Sequence, residues 1–399
     1  MTHMQHSFEN IEYLIGSEEI LQSIASVSAK NIFDNRIMEM LADWSEVLLK
    51  HPSIRINQDV AAFAFWIRKK SLIGYKEDYI QELNRLGRGL AFQIAPSNIP
   101  VQFAVTMVYA LLSGNATVIR VSGKQFQQVD ILCTTLNQLL IENYNDLRKY
   151  IVVIRYDHTH VMNQWLSEIC DIRIIWGGNT TIQAIRRYNI SPRTIELAFA
   201  DRYSIAVVNA DKYLQCNADS VANMFYMDTY YVDQNACSSP RMVIWYGKQV
   251  AEAQNLFWEK LQCVVDEKYT FQPISATDKL LQFCLLAAET KGVHSSFRNN
   301  KIIRVKVNSL DPEIMRYKGN SGYFYEYIAD DLDDVINMLS KECQTVDCLG
   351  VDKEQLRKYI QQKGVKGGDR IVDLGHTLDL SLVWDGYDMI RELSRIVQI

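Results

Sequence analysis

The feature that most restricts how this chain can fold is a change of hydrophobic period at residue 89. Leu90-Ala91-Phe92-Gln93-Ile94-Ala95 is apolar without helical spacing and reads as a buried strand. Pro96-Ser97-Asn98-Ile99-Pro100 follows as a loop, because two prolines prevent regular structure there. Val101 to Leu112 reads as a helix stopped by Gly114-Asn115, and Ala116 to Val121 as the next strand. Strand, short loop, helix and strand in that order make a βαβ unit, which requires a parallel pair.

The alternation continues. Helices are expected over 127–143, 161–169 and 182–187, with strands at Ile151–Ile154 and Ile172–Trp176. This is the pattern of a doubly wound α/β fold, whose ligands sit beyond the carboxyl ends of the strands. The second half repeats the theme, with strands expected at 204–208, 241–245, 302–307, 323–328 and 344–349 and helices at 250–264, 278–289 and 332–339. Before residue 89 the spacing predicts helices over 11–50 and 58–86. No long linker or repeat interrupts the chain. The expected organisation is N-terminal helices with a dinucleotide-binding domain over 1–200, a catalytic domain over 201–380, and a tail over 381–399.

The 399 residues suffice for two full cores. With 42 basic against 47 acidic residues, the net charge of −5 argues against a nucleic-acid partner held by global charge. A small polyanion remains compatible, since backbone N–H groups and a few cations bind phosphate. No secretory signal is read at the N-terminus, and the most apolar stretch, Val101 to Val121, is broken at Ser113-Gly114-Asn115. The eight cysteines form no C-x-x-C pair and are expected to be reduced thiols of a cytoplasmic protein. His158-x-His160 lacks further donors at fitting spacing, so no metal site is expected.

One cysteine stands apart. Val232-Asp233-Gln234-Asn235-Ala236-Cys237-Ser238-Ser239-Pro240-Arg241 places Cys237 in a tight polar turn before an apolar strand. A thiol there can be reached by substrate, and as a thiolate it can carry an acyl group as a thioester. The other reading is a small buried hydrophobe, the usual state of a free cysteine.

Four stretches taken in order carry a family resemblance. They are Ala95–Pro100 with Leu112–Asn115, Ile175–Asn179, Asp233–Pro240, and Gly368-Asp369-Arg370-Ile371-Val372 with Trp384-Asp385-Gly386-Tyr387-Asp388. From about residue 88 onward the chain resembles the acyl-CoA reductase branch of the aldehyde dehydrogenase superfamily, best known from the fatty acid reductase of bacterial luminescence. The resemblance implies an aldehyde dehydrogenase-like fold, a Rossmann-type dinucleotide-binding domain plus an α/β catalytic domain, with a tail that assists homo-oligomerisation. It implies that a fatty acyl group, arriving as acyl-CoA or from an acylated protein or acyl-transferring partner enzyme, is reduced by NADPH to the aldehyde.

The resemblance also suggests roles. Cys237 is the expected nucleophile. Asn98 is the expected oxyanion donor, worth about 3 kcal/mol; the alternative is a cap for the helix starting near Ile99-Pro100. Gly177 and Gly178 follow a strand and let backbone N–H groups approach a pyrophosphate, or make a simple turn. Arg120, with Ser122 and Lys124 beyond it, is placed to meet a 2′-phosphate, or is a solvated charge at a strand end. Glu196 matches the general base of aldehyde dehydrogenases, but Ala198-Phe199 replaces the family's two glycines. Because a water-activating base would hydrolyse an acyl-enzyme, Glu196 is expected to act as a proton shuttle or a structural carboxylate. Rival readings are an aldehyde dehydrogenase oxidising aldehyde to acid, a nucleotide-independent acyltransferase or acyl-carrier subunit, and a non-catalytic scaffold.

Overall fold

A computed structural model describes residues 8–296 and 299–398. The chain divides into two compact units, one of 1–200 with 380–399 and one of 201–379. In the first, strands β1 (Glu12–Ile15), β2 (Leu90–Ile94), β3 (Ala116–Arg120), β4 (Ile151–Arg155), β5 (Ile172–Trp176) and β6 (Ile195–Phe199) form one sheet in the order β1-β4-β3-β2-β5-β6. Every pair is parallel except β1 with β4. Strands β2, β4 and β5 are buried at every residue, which is why they read as unbroken apolar runs rather than alternating ones.

Two helices brace this sheet. Helix α1 (Asn35–Leu49) starts where the Asp34 carboxylate accepts from the backbone N–H groups of Arg36 and Ile37. Helix α2 (Gln102–Leu112) is buried all round, as its composition requires.

Two sequence expectations change here. Residues 12–15 form an edge strand, not a helix. Helical spacing begins only past Gly16, whose φ of +91° breaks the chain direction. Glu12 is fixed instead by Arg155 at 2.6 Å across the β1–β4 pair. The helical reading of 58–86 ends early, because Arg85–Gly87 pairs antiparallel with Ser394–Ile396.

The second unit is built on strands β7 (Tyr203–Asn209), β8 (Pro240–Tyr246), β9 (His294–Ser296), β10 (Ile303–Lys306), β11 (Tyr323–Ile328), β12 (Cys343–Leu349) and β13 (Arg370–Asp373). Their order is β9-β10-β11-β8-β7-β12-β13, and only β9 with β10 is antiparallel. Helices α3 (Ala218–Asp228), α4 (Val250–Lys268) and α5 (Ile274–Glu289) belong to this unit. One face is organised around a buried carboxylate. Glu326 accepts from Trp245, Gln254 and Trp258 on one oxygen and from Arg304 on the other. A buried charge is tolerable only when paired and bonded in this way.

The C-terminal segment closes back on the first unit. Val383 and Trp384 pair with Asp388 and Tyr387 across Asp385-Gly386, both at positive φ, as a two-residue hairpin turn demands. The hairpin presents Trp384 edge-on to Trp176 and Tyr387 edge-on to Phe199, while Trp176 and Phe199 stack at 3.8 Å.

Candidate active site

In the first unit the chain passes outward from β2 to β3 and β4, then returns to β5 on the other side of β2. The direction of winding reverses between β2 and β5, and the carboxyl ends of strands at such a reversal are where ligands of doubly wound sheets bind. The loop after β2 and the Gly177-Gly178 turn after β5 flank this point. A shallow, open crevice is lined by Ala95, Pro96, Ile99, Pro100, Phe103, Val121, Ser122, Lys124, Phe126 and Val129. The prolines that broke the strand pattern therefore form one wall, and the residues after β3 form the other.

Arg120 is the last residue of β3. Its guanidinium lies 5.3 Å from the Tyr156 ring centroid and donates to the Tyr156 carbonyl at 3.3 Å. Its Nε is buried with no partner among the described residues. Ser122 is held from both sides, its carbonyl by Arg155 Nε at 3.0 Å and its hydroxyl by the Lys124 N–H at 3.2 Å. Gly177 donates to the Phe199 carbonyl at 3.2 Å, and a Cβ at Gly177 would press on the Thr181 side chain at 3.1 Å. Gly178 caps the short helix Asn179–Ile185.

Asn98 is exposed in the loop after β2. The following helix begins at Gln102 with Val101 at its cap position.

Glu196 requires a correction. It is the second residue of β6 and pairs in register with Arg173 near the amino ends of the strands, away from the carboxyl edge where ligands bind. One carboxylate oxygen accepts from Arg173 and the other from Arg186 Nε at 2.7 Å. Burial alone would raise its pKa, but the two guanidiniums outweigh it and hold the carboxyl below the ordinary range. A carboxylate clamped by two cations is a poor proton acceptor, and the geometry makes Glu196 a structural ion pair.

Cys237 belongs to the second unit. Its loop connects α3 to β8, and the thiol-bearing residue is half-buried. Its carbonyl accepts from Ser204 Oγ at 2.7 Å, and Ser204 in turn accepts from the Thr345 N–H, so β7 and β12 both hold the loop. Asp233 and Gln234 have φ of +51° and +54°, a conformation that non-glycine residues enter only when surrounding bonds enforce it. The Gln234 amide supplies those bonds. It donates to the carbonyls of Pro240 and Tyr323 at 3.0 and 3.3 Å and accepts from the N–H groups of Gly322 and Tyr323 at 2.7 and 3.2 Å. Asp233 accepts from Tyr269 Oη at 2.6 Å.

Two cations act on the thiol. Arg241 is buried and donates to the carbonyls of Gln234 and Gly319 and to Asn320 Oδ1. Burial pulls its guanidinium down to about 10, and a thiolate at Cys237 opposes that shift. Lys318 donates to the Arg202 carbonyl at 3.3 Å. Burial and then Arg241 lower its pKa, while Cys237 and Asp201 act the other way. Both cations therefore interact electrostatically with Cys237. Sequence reading missed both. Arg241 left one signal, a charge at the head of an apolar strand, but Lys318 lies far along the chain with no local pattern to mark it.

The chain matches the family model described as acyl-CoA reductase (LuxC) over residues 74–398. Among curated relatives it is 21% identical over 319 residues to a long-chain acyl-protein thioester reductase of Aliivibrio fischeri, covering 78% of this chain and 63% of that protein. It is 21% identical over 329 residues to the protein of the same name from Photorhabdus luminescens, covering 80% and 64%. The chain thus spans less than two thirds of these relatives' length. Among solved structures, a NAD-dependent benzaldehyde dehydrogenase from Corynebacterium glutamicum superposes with a TM-score of 0.67 at 12% identity, covering 98% of this chain and 94% of that one. The glyceraldehyde-3-phosphate dehydrogenase GapN from Methanocaldococcus jannaschii, complexed with NADP, gives 0.65 at 14%, covering 95% and 93%. The fold is that of aldehyde dehydrogenases, and the family model spans most of the chain: the protein belongs to the acyl-CoA reductase (LuxC) family.

Proposed function

We propose that the protein reduces a long-chain acyl thioester to the aldehyde, with NADPH as reductant and Cys237 as the acyl-carrying nucleophile. The observation that carries this reading is the half-buried Cys237, held by β7 and β12 in a strained loop and in electrostatic interaction with Arg241 and Lys318. Those cations favour the thiolate, which attacks the acyl carbonyl and expels the thiol of CoA or of a carrier protein. Exchange of one thioester for another is nearly neutral in energy, so the step needs activation of sulfur more than driving force. Asn98 is assigned the oxyanion. Collapse of the reduced adduct frees the aldehyde and returns Cys237 to the thiolate.

The loops after β2 and β3 are assigned to a nicotinamide dinucleotide, as the position of the crevice at the carboxyl ends of these strands supports. Ser122 and Lys124 on the crevice wall offer donors for phosphate oxygens, with Arg120 at the end of the preceding strand and the Gly177-Gly178 turn after β5. When bound, NADPH supplies the hydride. Arg120 favours the 2′-phosphate form over NADH. The name of the curated relatives, long-chain acyl-protein thioester reductase, supports an acylated protein as donor.

The oxidative reading requires a water-activating base at Glu196. The two arginines on that carboxylate take the support away.

The test is intact mass after mixing with a panel of acyl-CoAs. The wild-type chain should gain one acyl group, lose it as aldehyde on adding NADPH, and a Cys237→Ser variant should gain none. Equal labelling of both, or of neither, would sink the proposal.

A further inference from the structure

Helix α5 carries its polarity inside out. Ile274, Leu280, Leu281 and Leu285 are exposed, while Lys279 is 1% exposed. A lysine is almost never fully buried without a reason. Among the described residues no carboxylate pairs with Lys279. Its Nζ instead donates to the carbonyls of Asn300 and Ser321, the latter at 2.7 Å, and lies 5.0 Å from the Phe271 ring centroid. Three N–H groups thus meet two carbonyls and one aromatic face, a complete set for an ammonium.

Ser321 is the critical partner. It sits at φ +57° in the loop 318–322, which is hydrogen-bonded to the cysteine segment. Residue by residue that loop grips the thiol loop. Lys318 acts on Cys237, the Gly319 carbonyl and Asn320 Oδ1 accept from Arg241, and Asn320 Nδ2 donates to Asn235 Oδ1 at 2.8 Å. The Ser321 N–H donates to the Asp233 carbonyl, and the Gly322 N–H to Gln234 Oε1. A left-handed serine needs external bonds to stay there.

We infer that Lys279 is a positioning residue for the nucleophile: its ammonium pins the Ser321 carbonyl and thereby keeps Lys318 and the partners of Arg241 against the Cys237 loop. The inference rests on Cys237 being the reactive thiol. Loss of the ammonium leaves an amine that still has N–H groups but no charge to strengthen them or to attract the ring. Burial alone pushes the Lys279 ammonium down to about 8, within reach of mild alkali. Among the ionisable groups nearby, Asp278 and Cys284 lie on its own helix and are exposed, Lys301 is paired with Asp266, Tyr269 is bonded to Asp233, and Lys318 lies on the loop itself; on the turn 312–317 packed against the helix, Arg316 pairs with Glu313 and Tyr317 interacts with Glu289.

The test reads the thiol directly, without acyl transfer. Alkylation of each cysteine by iodoacetamide is followed by peptide mass from pH 6 to 9.5 in the full chain, with exposed Cys216, Cys263 and Cys284 as internal references. In Lys279→Met, Cys237 should react about tenfold more slowly at pH 7 while the references are unchanged, and Lys279→Arg should recover most of the loss. Superimposable Cys237 profiles would overturn the inference. Because the Met variant puts folding at stake, a second measurement uses the wild-type chain. Hydrogen exchange at residues 321–323, corrected for intrinsic rate, should lose about tenfold protection between pH 7 and pH 9.5 while β8 keeps its own. Unchanged protection there would equally overturn it. If instead Cys237 behaves as predicted yet takes no acyl group from acyl-CoA, it is the proposed activity that fails and not the role of Lys279.

Discussion

Replacing Gln234 by alanine is the sharpest probe of how the nucleophile's loop is built. The amide makes four hydrogen bonds, two given to the carbonyls of Pro240 and Tyr323 and two taken from the N–H groups of Gly322 and Tyr323. All four partners are buried backbone groups that water does not reach in the folded chain. A net contribution of about 1 kcal/mol per bond gives about 4 kcal/mol for the set. Alanine also keeps the unfavourable positive φ of +54° while removing the bonds that enforce it. For a unit the size of 201–379, that loss lowers the melting temperature by roughly 8–16 °C. The assay is thermal unfolding followed by the fluorescence of Trp245 and Trp258, with Cys237 alkylation measured well below the transition. The thiol should slow even where the fold is intact, because the loop no longer holds it beside Arg241 and Lys318. A melting shift under about 3 °C with unchanged alkylation would refute the reasoning.

Other expectations follow from single features. Glu326→Gln removes the charge shared by two indoles, an amide and a guanidinium, and should cost about 3–5 kcal/mol in denaturant unfolding of the second unit. Asn98→Ala should slow acylation by about 10²–10³ in a single-turnover assay if it holds the oxyanion. Arg120→Ala should raise KM for NADPH about tenfold and leave NADH nearly unaffected. Glu196→Gln should leave reduction within a factor of about three, because its charge is structural. It should also change acid stability in a defined direction. The folded carboxyl lies below its unfolded value, so the stabilisation is present above the ordinary carboxylate pKa and is lost as pH falls through the lower folded one. The variant should therefore show a flatter acid limb in unfolding measured against pH.

The sheets were legible because strands buried on both faces write themselves as short apolar runs. Leu90–Ile94 and Ile172–Trp176 needed no partner to be recognised. Strand β1 was hidden because its pairing is with β4, and only Glu12 meeting Arg155 betrays it. Strand β6 was hidden for a similar reason. Glu196 interrupts its apolar character, and what makes that glutamate tolerable is Arg173 on the neighbouring strand. The site was legible only in part. Cys237 stands in a recognisable motif, but its field comes from Lys318 and its scaffold from residues 319–323, which no local spacing connects to it. The conformation of Gln234 was invisible for the same reason, since an ordinary glutamine was asked to do what glycine does in most turns.

The split of the first unit has a consequence for synthesis. The stretch 201–379 is continuous, so once it has left the ribosome it holds all seven strands of its sheet. The other half must wait. Arg85 is bonded to Ser394 and to the Arg391 carbonyl, Asn115 to the Leu393 carbonyl and Tyr109 to the Ser381 carbonyl, so its seams stay open until residues 381–394 arrive. The half made first is therefore finished last. A nascent chain stalled before residue 380 should already protect β7 and β8 from protease while Arg85–Gly87 is still cut.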